Sequence, residues 1–123
     1  KAVYDGDDWE IFLAPARGKR PYFQVSINPS GDCKALRRVE PQESAPWKVP
    51  ITAVSTLSPE KNRWEATLAI PLADILGTTP VGQDTVLDAN IFRGSRNQPP
   101  LSWSPVFNGS FHTTKRMGRL ILE

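Results

Sequence analysis

The chain has 123 residues, with 15 basic and 13 acidic side chains and one histidine, for a net charge of +2. That length supports one domain burying roughly two thirds of its unfolded surface. The scattered charges form no basic stripe for a phosphate backbone, which argues against nucleic acid, and no apolar run reaches the ~18 residues that span a bilayer.

A single cysteine, Cys33, excludes an intrachain disulfide, and a single histidine, His112, excludes a Ser-His-Asp triad or histidine-cluster metal site within the chain. Twelve prolines and eight glycines divide the sequence into short segments, and the apolar residues between them alternate instead of recurring at helical spacing. The pattern predicts an all-β fold, an antiparallel β-sandwich, as a single domain over residues 1–123.

In chain order, Asp5-Gly6-Asp7-Asp8 is an oxygen-rich turn. Asp5, Asp7 and Asp8 are candidate calcium ligands, weighed against a solvated turn leading into a strand; the full EF-hand loop is absent. Strands are predicted at Trp9 to Leu13, Tyr22 to Asn28 and Lys34 to Val39, with Cys33 read as a small strand residue and Arg38 to Pro50 as an extended loop. Further strands run from Ile51 to Leu57 and from Trp64 to Ile70, where Trp64, Ala66, Leu68 and Ile70 share one face and Glu65 and Thr67 the other.

Proline at the front and glycine at the end mark a short helical turn near residues 71–76. A loop from Thr78 to Thr85 precedes strands at Val86 to Arg93, Ser102 to Pro105 and Gly118 to Leu122. No strand precedes Trp9 to cover the first sheet edge, so the domain is expected to be incomplete at its N-terminus. That edge is then expected to pair with a second copy or with upstream strands.

The stretch from Leu101 to His112 gathers aromatic rings, amides, hydroxyls and the imidazole in one turn-rich loop. Sugar rings present C–H patches that stack on aromatic faces, while their hydroxyls need fixed donors and acceptors around the rim. Trp9, Trp64 and Trp103 fit core packing, and Trp47 fits either a loop anchor or a ligand platform.

Five blocks then occur in a telling order: Asp7-Asp8-Trp9-Glu10-Ile11-Phe12-Leu13, Tyr22 to Gly31, Trp64 to Leu72, Asn90-Ile91-Phe92-Arg93, and Ser102 to Leu122. Together they resemble the family 9 carbohydrate-binding modules and their family 9-like relatives. The resemblance implies a β-sandwich that binds a mono- or oligosaccharide, or a polysaccharide chain end, without cleaving it. It also implies an accessory module of a secreted bacterial polysaccharide-degrading protein, extracellular or periplasmic, and some relatives carry structural calcium.

Carried over by position, Tyr4 and Phe111 fall where relatives clamp the sugar between two rings, Glu10 at a carboxylate position and Asn108 at an amide position. Gln24 and Ser26 fall where relatives carry longer polar side chains; Arg93 is a further candidate for the sugar hydroxyls and His112 for the rim. Tyr and Phe in place of two tryptophans cover less of a pyranose. The rival reading is a structural accessory sandwich, and a more remote one is haem ligation through Met117, with His112 in a poor position to oppose it.

Overall fold

The computed structural model describes residues 6–77, 81–107 and 110–123. These form strands β1 (Asp8–Ala14), β2 (Tyr22–Ile27), β3 (Cys33–Glu40), β4 (Glu43–Pro46), β5 (Thr52–Ser58), β6 (Arg63–Ala69), β7 (Val86–Gly94), β8 (Leu101–Ser102) and β9 (Gly118–Ile121). The one α-helical turn among the described residues, α1 (Ala73–Leu76), falls inside the predicted segment and ends at Gly77 with φ 64°; two 3-10 turns lie at Pro59–Lys61 and Thr114–Arg116. The fold is an all-β sandwich: a seven-stranded antiparallel sheet in the order β4-β3-β2-β1-β7-β8, with β9 also on β7, and a separate β5-β6 hairpin.

Period-two alternation sends opposite sets of side chains to the two faces of the large sheet. On the inner face, Leu13, Phe23, Val25, Leu87 and Ala89 form a core with Trp47 and Ile75, and Ile51, Leu68 and Ile70 pack onto it from the hairpin and its flanks. On the other face, Phe12, Ala14, Tyr22, Phe92, Val106 and Met117 form a second apolar cluster. The hairpin covers only one of these clusters.

The predicted 38–50 loop contains β4, whose residues pair Leu36 with Pro46, Arg37 with Ala45 and Arg38 with Ser44. Every residue of β4 is exposed, so no apolar alternation marked it. Trp47 is the anchor of the two alternatives: it is buried, its ring lies 4.7 Å from Phe23, and its indole N–H donates to Asp74 at 2.9 Å. That bond pins α1 to the core.

Trp103 is not a core residue, being 54% exposed. Its N–H donates to Ile91 O at 2.8 Å, extending the β7-β8 ladder, and its ring lies across Gly118, where a Cβ would come within 2.6 Å of it. With Ile91, Leu101 and Leu120, which are exposed as well, Trp103 forms a row on the inner face that the hairpin leaves largely uncovered. Among the described residues β6 pairs with β5 alone.

Beside β6 runs an open cleft of about 570 Å³, lined by Trp64 to Leu68 and, from the large sheet, by Trp9, Ile11 and Ile91. Because consecutive residues of β6 line it, the cleft follows the strand's edge and not merely one of its faces. Trp9 and Trp64 meet there, 6.2 Å apart and half-buried.

Candidate functional site

The face opposite the hairpin carries an unusual row of polar residues in the centre of a sheet. Asp8, Gln24, Ser26 and Asn90 are all buried. Register sets them side by side: Glu10 lies across from Ser26 on β2 and Phe92 on β7, Phe12 from Gln24 and Asn90, and Tyr22 from Arg38 on β3. Burying such groups is costly unless each finds a partner.

They find one another. Arg38 Nε donates to Gln24 Oε1 at 2.7 Å, and Gln24 Nε2 donates to Glu10 Oε1 at 2.7 Å. The guanidinium on one side and the acidic group on the other leave the carboxamide one favourable orientation. Arg38 Nη1 also donates to Pro41 O at 2.5 Å, which fixes the arginine from behind. A chain of three side chains thus crosses three strands.

Asp8 continues the row through a side-chain hydrogen bond with Glu10 and a bond with the Gly94 backbone. Burial, then the Asp8 charge, push the Glu10 carboxyl up to about 7, while Gln24 and Arg38 pull the other way. Burial likewise raises Asp8, whose Oδ2 lacks a partner among the described residues. Two neighbouring carboxyls in a partly dry setting favour a shared proton.

The aromatic cluster borders this row. Phe111 stacks on Phe92, centroids 4.1 Å apart and planes 18° off parallel, and Phe92 packs against Phe12 at 5.2 Å. The His112 ring lies 5.0 Å from Phe12, and its Nδ1 is 2.9 Å from the Tyr22 hydroxyl. Burial, then Arg38, lower the His112 pKa and favour the neutral imidazole. In the tautomer whose Nδ1 accepts the hydrogen bond of the Tyr22 hydroxyl, Nε2 carries the ring hydrogen and is a donor.

Of the residues singled out in the sequence, Glu10, Gln24, Ser26, Phe111 and His112 come to this one face. Arg93 sits across from Trp9 in the opposite phase of β7, and its Nη2 donates to Pro99 O at 3.0 Å. Tyr4, Asp5 and Asn108 lie outside the described residues. Asp7 is exposed while Asp8 turns inward to Glu10, and the described residues gather no three metal-ligating side chains. Met117 is 2% exposed within the cluster that His112 also touches through Phe12, so the two share one side of the sheet.

Sequence reasoning passed over Arg38 as a site residue, placing it only where the predicted Lys34 to Val39 strand meets the loop that follows. The strand phase held the signal, since Leu36 and Arg38 share the face of Gln24 and Tyr22 once β3 is paired with β2. Asn90 was passed over too. Its carboxamide donates to Ser104 O at 2.9 Å and accepts from Ser104 N at 2.8 Å, tying the 102–107 loop to β7.

Chemically, the face offers a carboxyl, an amide, a guanidinium and an imidazole within reach of a half-exposed phenyl ring. Asp8 and Glu10 are hydrogen-bonded to each other, closer than the ~5 Å that a retaining glycosidase keeps between its two carboxyls.

The fold resembles that of a solved Bacteroides uniformis structure, of a candidate carbohydrate-binding protein, with a TM-score of 0.72 at 18% sequence identity. The match covers 98% of this chain and 63% of that one, so this chain spans less than two thirds of its neighbour's length. No family model and no curated protein matches the sequence.

Proposed function

We propose that the chain binds carbohydrate without altering it, using the sheet face of Glu10, Gln24 and Arg38 and the ring of Phe111. The observation that carries this reading is the Arg38–Gln24–Glu10 hydrogen-bond chain on the same face as the half-buried Phe111 ring, which is stacked on buried Phe92. A carboxylate and a guanidinium bridged by one carboxamide can each take two vicinal hydroxyls, while a phenyl face takes the ring C–H groups. The similarity in fold to a candidate carbohydrate-binding protein supports it.

In this reading Phe111 stacks on the sugar with Tyr4 as the opposing ring, Glu10 and Asn108 bond its hydroxyls, and buried Gln24 holds Glu10 in place from behind. His112 completes the rim, while Ser26, fully buried, lies beneath the site instead of at its edge. Arg38 supplies the cationic fork from the face where Glu10 sits, a position that the strand phase denies to Arg93. The module would serve a secreted polysaccharide-degrading protein, in the manner of the family 9-like modules.

The test is a broad glycan array followed by calorimetry. Binding that is lost in both Glu10→Ala and Phe111→Ala, with unchanged circular dichroism, supports the reading. Absence of binding by the unmodified chain overturns it in favour of a structural accessory domain, to which the uncovered apolar row of Ile91, Leu101, Trp103 and Leu120 would belong.

A further inference from the structure

Phe107 is the most exposed large apolar side chain among the described residues, at 78%. Its backbone has φ 60°, the left-handed region that bulky residues rarely enter. Strain of this kind persists where the surroundings enforce it, and it concentrates at ligand contacts. Here the surroundings can be named.

The preceding residue, Val106, is buried in the cluster of Phe12, Phe92 and Met117, so the turn at Phe107 throws its ring outward from the rim of the site face. The Arg116 guanidinium lies over that ring, its central carbon 5.1 Å from the centroid. Arg116 is itself held: its N–H donates to Thr113 O at 3.1 Å, and its carbonyl accepts Ser104 Oγ at 2.6 Å. Ser104 in turn is clasped by Asn90. An aromatic ring is therefore covered by a cation on one face, braced back to the sheet, and open to water on the other.

We propose that Phe107 is a stacking platform for a pyranose with equatorial hydroxyls, whose axial C–H groups give a flat apolar face to lie against the side of the ring opposite Arg116. The proposal rests on the carbohydrate-binding reading and extends that site outward from Phe111 along the same loop. A second platform lets the face hold more than one sugar unit, so an oligosaccharide gains over its monosaccharide through Phe107. Arg116 acts as a positioning residue, keeping the ring raised.

The test titrates cello- and xylo-oligosaccharides and the matching monosaccharides into the unmodified chain, Phe107→Ala, Phe107→Tyr and Arg116→Gln. Phe107→Ala is expected to weaken oligosaccharide binding about fivefold and monosaccharide binding much less. Phe107→Tyr should restore oligosaccharide affinity, and Arg116→Gln should fall between, with all variants retaining the parent near-ultraviolet spectrum. Equal oligosaccharide affinity in Phe107→Ala and the unmodified chain, while Glu10→Ala still weakens it, overturns the platform alone. No binding by the unmodified chain overturns the carbohydrate reading and the platform with it.

Discussion

Gln24 and Glu10 are joined across the β1-β2 pair by a 2.7 Å hydrogen bond in which the carboxamide is the donor, so the amide's oxygen is turned toward Arg38. Gln24 is buried, while Glu10 keeps a second hydrogen bond, to Asp8. Gln24→Leu keeps the volume and removes both bonds, leaving a carboxyl and a guanidinium short of partners. The expected cost is ~1–3 kcal/mol of stability, measured by urea denaturation, together with loss of glycan affinity.

Glu10 gives the protein a specific pH dependence. Its carboxyl is raised from 4.5 to about 7, so the fold favours the protonated form. Stability from this source is complete below the unfolded value and disappears as pH rises through the folded one. Asp8, Gln24 and Arg38 are the groups that face it. His112, lowered by burial, acts with the opposite sign and loses its contribution as pH falls. The comparison that isolates Glu10 is the difference in melting temperature between the unmodified chain and Glu10→Gln, which should shrink or reverse between about pH 5 and pH 8. Glycan affinity should move the other way and strengthen as pH rises through that range, because the free carboxylate is the better acceptor.

Gly94 lies against the Asp8 carboxylate, where a Cβ would overlap Oδ1. Asp8 is buried and cannot swing into water. Gly94→Ala should therefore destabilise by ~1–3 kcal/mol in chemical denaturation. By moving Asp8 off Glu10 it should also shift the pH profile of glycan binding toward lower pH.

Two tryptophans should respond in opposite ways to truncation. Trp47 is buried against Phe23 and bonded to Asp74, so Trp47→Ala should cost ~3–5 kcal/mol. Trp103 is half in water over Gly118, so Trp103→Ala should cost under ~1 kcal/mol. It should also reduce binding of a hydrophobic dye, since its ring belongs to the uncovered row.

Hydrogen exchange should distinguish the two layers. The amides of β1, flanked by β2 and β7, should exchange slowest. On β6 the amides that point into the cleft should exchange many-fold faster than those bonded to β5.

The same contrast explains what could be read from the residues alone. β6 announced itself because Trp64, Ala66 and Leu68 face a core and Glu65 and Thr67 face water, and α1 was bracketed by Pro71 and Gly77. β2 is buried throughout, yet Phe23, Val25 and Ile27 still alternate with Gln24 and Ser26, because its second face carries the polar row. β4 had nothing to bury and left no signal. Trp103 looked like core because alternation tells which face a residue joins, and not whether another layer reaches that far. Arg38 joins Glu10 only through Gln24, across three strands, and such adjacency depends on register, which no local pattern encodes.

Asn90 meets Ser104 as a residue on a neighbouring strand would, giving one hydrogen bond to its carbonyl and taking one from its amide. A side chain thereby stands in for the backbone ladder just where β8 ends, and the 102–107 loop inherits the stiffness of β7. Phe107 and Val106 are then carried by the sheet instead of by a wandering loop, so a ligand settling there finds its contacts already ordered and spends little of its binding free energy on freezing them. Asn90→Ala would leave every ring in place in composition and still loosen the grip.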